Sequence, residues 1–274
     1  MLHPLDAFAI VSGDKVASGK YPAVVKIGYA PGYLTPLFDP FCTGTLISKK
    51  IILTAAHCLS ADLEAPLEVV FNDRFKTVRK VKAIAIHEDY LLNPSLSVAD
   101  IALLHLESEV LHIPYYKVSS AKSNPGQKYK VLGYGYTKTN GNDNGTLRSA
   151  PQIDYTYQSQ EFLGGSVIPY ILTAIYISKN NKISSTCSGD SGGPLLYNDK
   201  VIGVTSFGDP DCNSSSPTVY TRISAFNRWI ATAKTVLDDH VALYLYKVNQ
   251  TVEVPSEIEL PIIDSAPLPL LLNY

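Results

Sequence analysis

Along most of the chain the hydrophobic positions fall in short runs rich in β-branched and aromatic residues, separated by clusters of Gly, Pro, Asn and Ser. Ala23–Gly28, Thr45–Leu53, Leu67–Phe71, Ile101–Leu106, Lys130–Leu132 and Val201–Phe207 are such runs. Their length and spacing predict an all-β domain, a sandwich or barrel, and not βαβ units. The polar stretch Thr137–Gly145 is dense in turn formers and predicts an exposed loop. One segment has a different period. In Ser224–Leu237 the residues Phe226, Trp229, Ile230, Ala233, Val236 and Leu237 recur at three- and four-residue steps. Ser224 supplies an N-cap type, so the pattern predicts a helix over about 224–237.

The chain beyond that helix changes character. Residues 238–274 contain no Gly, four prolines (Pro255, Pro261, Pro267, Pro269) and six acidic residues against the single Lys247. They carry −5 of a total of −2, which leaves +3 on the rest, and they read as a C-terminal extension. Within it Val241–Val248 and Val252–Leu260 are β-prone and suited to adding strands to a barrel edge. The extension reads as a surface wrap, with an autoinhibitory or targeting segment as the functional alternative. At the other end Met1–Ala9 lacks a basic n-region and a long apolar h-region, and reads as a propeptide or residual leader.

Composition narrows the class. The 274 residues, 46% hydrophobic and 18% charged, suit a folded domain with a sizeable core. A net charge of −2 offers no whole-chain attraction to nucleic acid, and no apolar run reaches the roughly 18 residues of a membrane span. Cys42, Cys58, Cys187 and Cys212 show no C-x-x-C spacing. Two disulfides suit a secreted protein or another oxidising compartment such as the periplasm, and four cysteines allow three pairings. His3, His87, His105, His112 and His240 lack partner spacing for a metal and read as structural or surface residues. Nothing in the chain asks for a cofactor or metal. Asn144, Asn213 and Asn249 open glycosylation-type triplets.

Two strings carry chemistry. Leu53–Cys58 (LTAAHC) ends an apolar run in a histidine beside a cysteine, and Cys187–Leu195 (CSGDSGGPL) surrounds Ser191 with glycines. Serine is a weak nucleophile until a base takes its proton, and a neutral imidazole suits that task near pH 7. The imidazole in turn needs a carboxylate to hold its tautomer. Asp100, opening DIALLHL, is the candidate orienter of His57. Gly189, Gly192 and Gly193 allow a sharp turn in which the amides of Gly189 and Ser191 converge on a developing oxyanion.

In this order, with IVSG at Ile10, GKYPAVVKI at Gly19, GYG at Gly133, SFG at Ser206 and PTVYTRI at Pro217, the chain resembles the trypsin/chymotrypsin family of serine proteases from about Ile10 to Leu237. The resemblance implies two six-stranded antiparallel β-barrels, over about 23–115 and 116–222, in a peptidase domain spanning 10–237. It places the site in the cleft between them and implies an acyl-enzyme on Ser191, with His57 as base and Asp100 as orienter. It also implies the pairings Cys42–Cys58 and Cys187–Cys212. Tyr134 and Phe207 stand where tryptophan is frequent and are expected to keep its packing role. The barrel-type order His57, Asp100, Ser191 and the lack of G-x-S-x-G argue against an α/β-hydrolase. A silent binding protein or a general acyl hydrolase are the competing classes. No triad residue is replaced.

The same resemblance puts the specificity pocket at Ser185, Thr186, Ser206, Phe207, Gly208 and Thr218. Ser185 at its base offers no counter-charge for Arg or Lys. Gly208 leaves the entrance open and Thr218 makes the deep part shallow, so cleavage after small or medium apolar residues is expected, with Leu or Phe next. Ile10–Val11 and Asp190 match an activation pair in which a new N-terminal ammonium meets the aspartate before the nucleophile. With Met1–Ala9 attached that ammonium cannot exist, so the intact chain is expected to be a zymogen or weakly active. A monomer acting on protein or peptide substrates, and open to protein inhibitors, completes the expectation.

Overall fold

The computed structural model describes residues 10–59, 65–92, 99–121, 124, 126–138, 144–155, 171–176, 184–212, 217–238 and 270–273. Met1–Ala9, Asn213, Asn249, His3, His240, the middle of the Thr137–Gly145 loop and the β-prone stretches Val241–Val248 and Val252–Leu260 lie outside them.

Fifteen strands are formed among the described residues. The first barrel uses β2 (Val24–Tyr29), β3 (Asp39–Leu46), β4 (Ile51–Thr54), β5 (Leu67–Phe71), β6 (Val78–Ile86) and β7 (Ala102–Leu106). The ladder runs β5–β2–β3–β4–β7, and β6 pairs with both β5 and β7, which closes it. The second uses β9 (Lys128–Gly133), β10 (Arg148–Asp154), β11 (Ile171–Tyr176), β12 (Pro194–Tyr197), β13 (Lys200–Phe207) and β14 (Thr218–Arg222). Its ladder runs β10–β11–β14–β13–β12–β9, and the β9–β10 pairing closes it. Every pairing inside the two barrels is antiparallel, so the expected pair of six-stranded barrels is what forms. Closure removes the exposed sheet edges that an open arrangement of the same strands would present.

Three short strands sit outside the barrels. β1 (Asp14–Lys15) lies against β10, β8 (Lys117–Val118) runs parallel to β13, and β15 (Leu270–Asn273) pairs with Ala83–Ile86 of β6. β15 brings the end of the C-terminal extension back to the first barrel.

The run Thr45–Leu53, continuous in hydrophobicity, is split by the structure. β3 ends at Leu46 and β4 begins at Ile51, joined by a tight turn in which the Ile47 N–H donates to the Ile51 carbonyl at 2.8 Å. Ser48, Lys49 and Lys50 supply the polar turn that periodicity in the flanking residues masks. In β5 the alternation is plain, with Leu67, Val69 and Phe71 buried and Glu68 and Val70 half-buried between them. β7 is buried along its whole length. A short helix α1 (Glu88–Leu92) follows β6, and the helix α2 (Ile223–Asp238) packs across β7 with Phe226, Trp229, Ile230, Ala233 and Leu237 turned inward. His87 stacks against that helix, 5.1 Å from the Phe226 and Trp229 ring centres, and burial lowers its pKa. It is a structural histidine.

Candidate active site

His57 lies in a single 3-10 turn (Ala56–Cys58) that follows β4. The disulfide Cys42–Cys58 ties this turn to β3, so the imidazole is carried on a braced segment. Asp100 sits just before β7, buried to 1% exposure, and works on His57 with both oxygens. Oδ1 accepts the His57 backbone N–H at 2.9 Å and Oδ2 meets Nδ1 at 2.8 Å. Ser206 donates a third hydrogen bond to Oδ2 at 2.5 Å, and Thr221 donates to the Asp100 carbonyl at 2.7 Å. These donors satisfy the hydrogen-bonding capacity of a carboxylate cut off from water. With Nδ1 committed to Asp100, Nε2 is the ring nitrogen turned to proton transfer.

Ser191 follows the second barrel's Cys187–Asp190 turn, which the disulfide Cys187–Cys212 anchors. Gly189 has φ +93°, and a Cβ there would stand 2.8 Å from the Cα of Gly135, so no other residue fits without displacing that backbone. Within 189–193 the amides of Asp190, Gly192 and Gly193 donate to the carbonyls of Cys187, Thr205 and Asp190. Those of Gly189 and Ser191 donate to no acceptor among the described residues. Two unspent amides on one turn are what an anion-stabilising site requires.

Thr43, a residue the motifs did not mark, joins the two barrels here. It is fully buried in β3. Its hydroxyl donates to the Gly189 carbonyl at 2.8 Å and accepts the Tyr134 N–H at 3.1 Å, while its N–H donates to the Ser191 carbonyl at 2.8 Å. The Gly189–Ser191 turn of the second barrel is thereby fixed from the first. A polar residue within an apolar strand was the available signal, and periodicity alone does not separate it from a surface threonine.

The pocket residues come together as well. Thr186 and Thr218 are buried and share a hydroxyl–hydroxyl hydrogen bond of 2.8 Å. A Cβ on Gly208 would meet their hydroxyls at 3.5 and 3.8 Å, ordinary contact distances, so Gly208 opens onto the threonine pair. Ser185 is 2% exposed and turns its hydroxyl to the Thr186 carbonyl. Ser206, placed in the pocket by sequence, spends its hydroxyl on Asp100. Tyr134 is buried and bonds the Val24 carbonyl, in keeping with a packing role. Phe207 departs from that expectation: it is exposed at the end of β13, with no element covering it among the described residues.

Ile10 and Asp190 also meet. Ile10 is completely buried in the second barrel's core, and Val11 exchanges backbone hydrogen bonds with Ser185. Asp190, fully buried, accepts N–H groups from Cys187, Gly135 and Ile10. Burial still raises its pKa to about 7. In the continuous chain the Ile10 nitrogen is an amide, so this contact is a hydrogen bond and not an ion pair. Cys42, His57 and Cys58 are close enough to suggest metal ligands. Both sulfurs are consumed in the disulfide, so the group has no thiolate to offer.

Comparisons with known proteins agree with this geometry. Residues 10–230 match the family model described as trypsin. The chain is 33% identical over 245 residues to the chymotrypsin-like elastase family member 1 of Rattus norvegicus, covering 81% of this chain and 88% of that protein. It is 29% identical over 224 residues to a trypsin of Saccharopolyspora erythraea, covering 79% and 94%. Among solved structures, mouse neuropsin, a serine protease expressed in the limbic system, superposes with a TM-score of 0.69 at 25% identity, covering 83% of this chain and all of that one.

Proposed function

We propose a catalytic assignment and a substrate class for this chain, which belongs to the trypsin family of serine endopeptidases. In the assignment Ser191 Oγ attacks the scissile carbonyl while His57 Nε2 takes its proton. The oxyanion is held by the amides of Gly189 and Ser191. His57 then protonates the leaving amine, which departs and leaves an acyl-enzyme on Ser191. Water, deprotonated by the same imidazole, hydrolyses that ester and restores the serine. Asp100 holds the imidazole tautomer and stabilises the imidazolium. The observation that carries this reading is the two-point grip of Asp100 on His57, with Ser206 as a further donor.

The preferred residue on the acyl side of the cut is small or medium and apolar, with Leu or Phe second. Support comes from the neutral Ser185 and from the Thr186–Thr218 hydroxyl bond beneath Gly208. The elastase names of several relatives agree with it. A panel of peptides varied at that residue tests the proposal. Fastest cleavage after Ala or Val is expected, and fastest cleavage after Arg or Lys would sink it.

Activation by a cut before Ile10, giving an ammonium beside Asp190, belongs to the same reading, as does secretion of a monomer that meets protein inhibitors. Ala9 suits both a small-residue signal cleavage and the enzyme's own pocket. If Ser191→Ala protein still carries Ile10 at its N-terminus after purification, self-cleavage is not the required route.

A further inference from the structure

The bulkiest of the fully buried side chains is a charged one, Arg148 in β10. The catalytic scheme gives it no task. A buried guanidinium is costly unless an anion faces it, so its surroundings identify what it serves. Arg148 is register partner to Gly133 of β9. Directly paired residues project from the same face of the sheet. On that face lies Asp190: a Cβ on Gly133 would stand 2.1 Å from Asp190 Oδ1. The carboxylate occupies the space that Gly133 leaves vacant, and Arg148 faces that space from the adjoining strand.

Burial raises the Asp190 pKa, the three N–H donors oppose that, and the charge of Arg148 opposes it further. The other titratable side chain acting on Asp190 is Tyr220 of β14. Tyr220 is fully buried, burial pushes its pKa upward so that it is neutral, and its hydroxyl donates to Gln152. Gly133 and Gly135 bring no side chain, and the Ile10 amide brings no charge. Among the described residues Arg148 is thus the cationic side chain acting on the carboxylate.

We propose that Arg148 is a positioning residue, an internal counter-cation that favours the ionised, inward-turned Asp190 before any cut at Ile10, so that the uncut chain at neutral and higher pH already keeps the Gly189–Ser191 turn. This rests on the reading of Asp190 as the carboxylate that shapes the site of a serine endopeptidase. An ionised Asp190 can accept all three N–H bonds. A protonated one presents its own O–H to that donor cluster and loses an acceptor position. Arg148 therefore acts on the oxyanion turn through Asp190, without touching substrate.

The test uses the full chain with Ser191→Ala, in which self-cleavage cannot create an Ile10 ammonium. Carboxyl-labelled aspartate is followed by carbon NMR against pH, with Asp190→Asn identifying the resonance. A midpoint near 7 is expected for Asp190. In Arg148→Met and Arg148→Gln it should rise by at least one unit, a tenfold change in its acid constant. In Arg148→Lys it should return most of the way. An unmoved midpoint, or a lysine variant displaced as far as glutamine, overturns the proposal. If the methionine variant does not fold, the Gln–Lys pair decides. In the Ser191 chain, with its uncut state verified by intact mass, Arg148→Gln should lower kcat/KM at least about fivefold at pH 7, with the gap narrowing toward pH 9. Equal loss at every pH is the signature of a merely structural arginine and contradicts the inference. If the midpoint moves while neither the uncut parent nor the chain cut before Ile10 hydrolyses any peptide, Arg148's role stands and the endopeptidase reading fails.

Discussion

Thr43 bonds through both its hydroxyl and its N–H to the segment that carries Ser191, so its contribution can be separated from that of the triad proposed above. Thr43→Val keeps the shape and the backbone contacts but leaves the Gly189 carbonyl and the Tyr134 N–H without that partner. A lost buried hydrogen bond costs roughly 1–3 kcal/mol. Expressed on the oxyanion turn, this predicts kcat about tenfold lower with KM little changed. An unchanged kcat would mean that the turn needs no help from the first barrel. Thr218→Gly removes one half of the hydroxyl pair beneath Gly208. The expected result is a preference that moves from Ala toward Leu or Phe by about tenfold in kcat/KM ratio, in line with the effect of one or two methylenes in a pocket. The legibility of these residues differs for a physical reason. His57, Asp100 and Ser191 sit in strings whose neighbours share their task, whereas Thr43 bonds a residue 146 positions away. No local pattern records a contact of that span.

At the level of elements, the two disulfides brace the segments that carry His57 and Ser191. Cys42 and Cys58 lie 16 positions apart in sequence, and Cys187 and Cys212 lie 25 apart. The loop-closure relation gives roughly 3 kcal/mol for each. Replacing Cys42 and Cys58 together by Ala should lower unfolding stability by about that amount in a denaturant titration, and also weaken catalysis through the His57 turn. Loss of stability with full activity would show that the turn is held by packing alone. Single strands were readable where alternation was clean, as in Leu67–Phe71. They were readable also in the wholly buried run Ile101–Leu106 that contains β7, but not where a polar turn hides between two apolar strands, as at Ser48–Lys50. β10 escaped notice because Arg148, Pro151 and Gln152 interrupt its apolar sequence. Two of them, Arg148 and Gln152, are buried nonetheless, because their polar groups face the polar surroundings of Asp190 and Tyr220.

For the whole molecule, barrel closure was beyond the reach of periodicity, which distinguishes strand from helix but not sandwich from barrel. The family resemblance supplied closure, and the β6–β7 and β9–β10 pairings realise it. The assembled fold also carries a pH signature. Asp190 binds its proton up to about pH 7 in the folded uncut chain, against an ordinary value of 3.8. The folded state then holds more protons than the unfolded one between those values, so this group's contribution is complete at low pH and is lost as pH rises through about 7. Relative to Asp190→Asn, the uncut parent should lose stability, on the order of 1 kcal/mol per pH unit, between roughly pH 4.5 and 6.5. Parallel curves would place the Asp190 proton affinity near that of the unfolded chain. The most direct measurement of the central claim is intact and peptide mass spectrometry after exposure to an organofluorophosphate. One adduct per chain, on Ser191, absent in His57→Ala and accompanied by loss of peptide hydrolysis, is the predicted result. An unmodified Ser191 in a chain that still cleaves peptides, or an adduct on another residue, would contradict it.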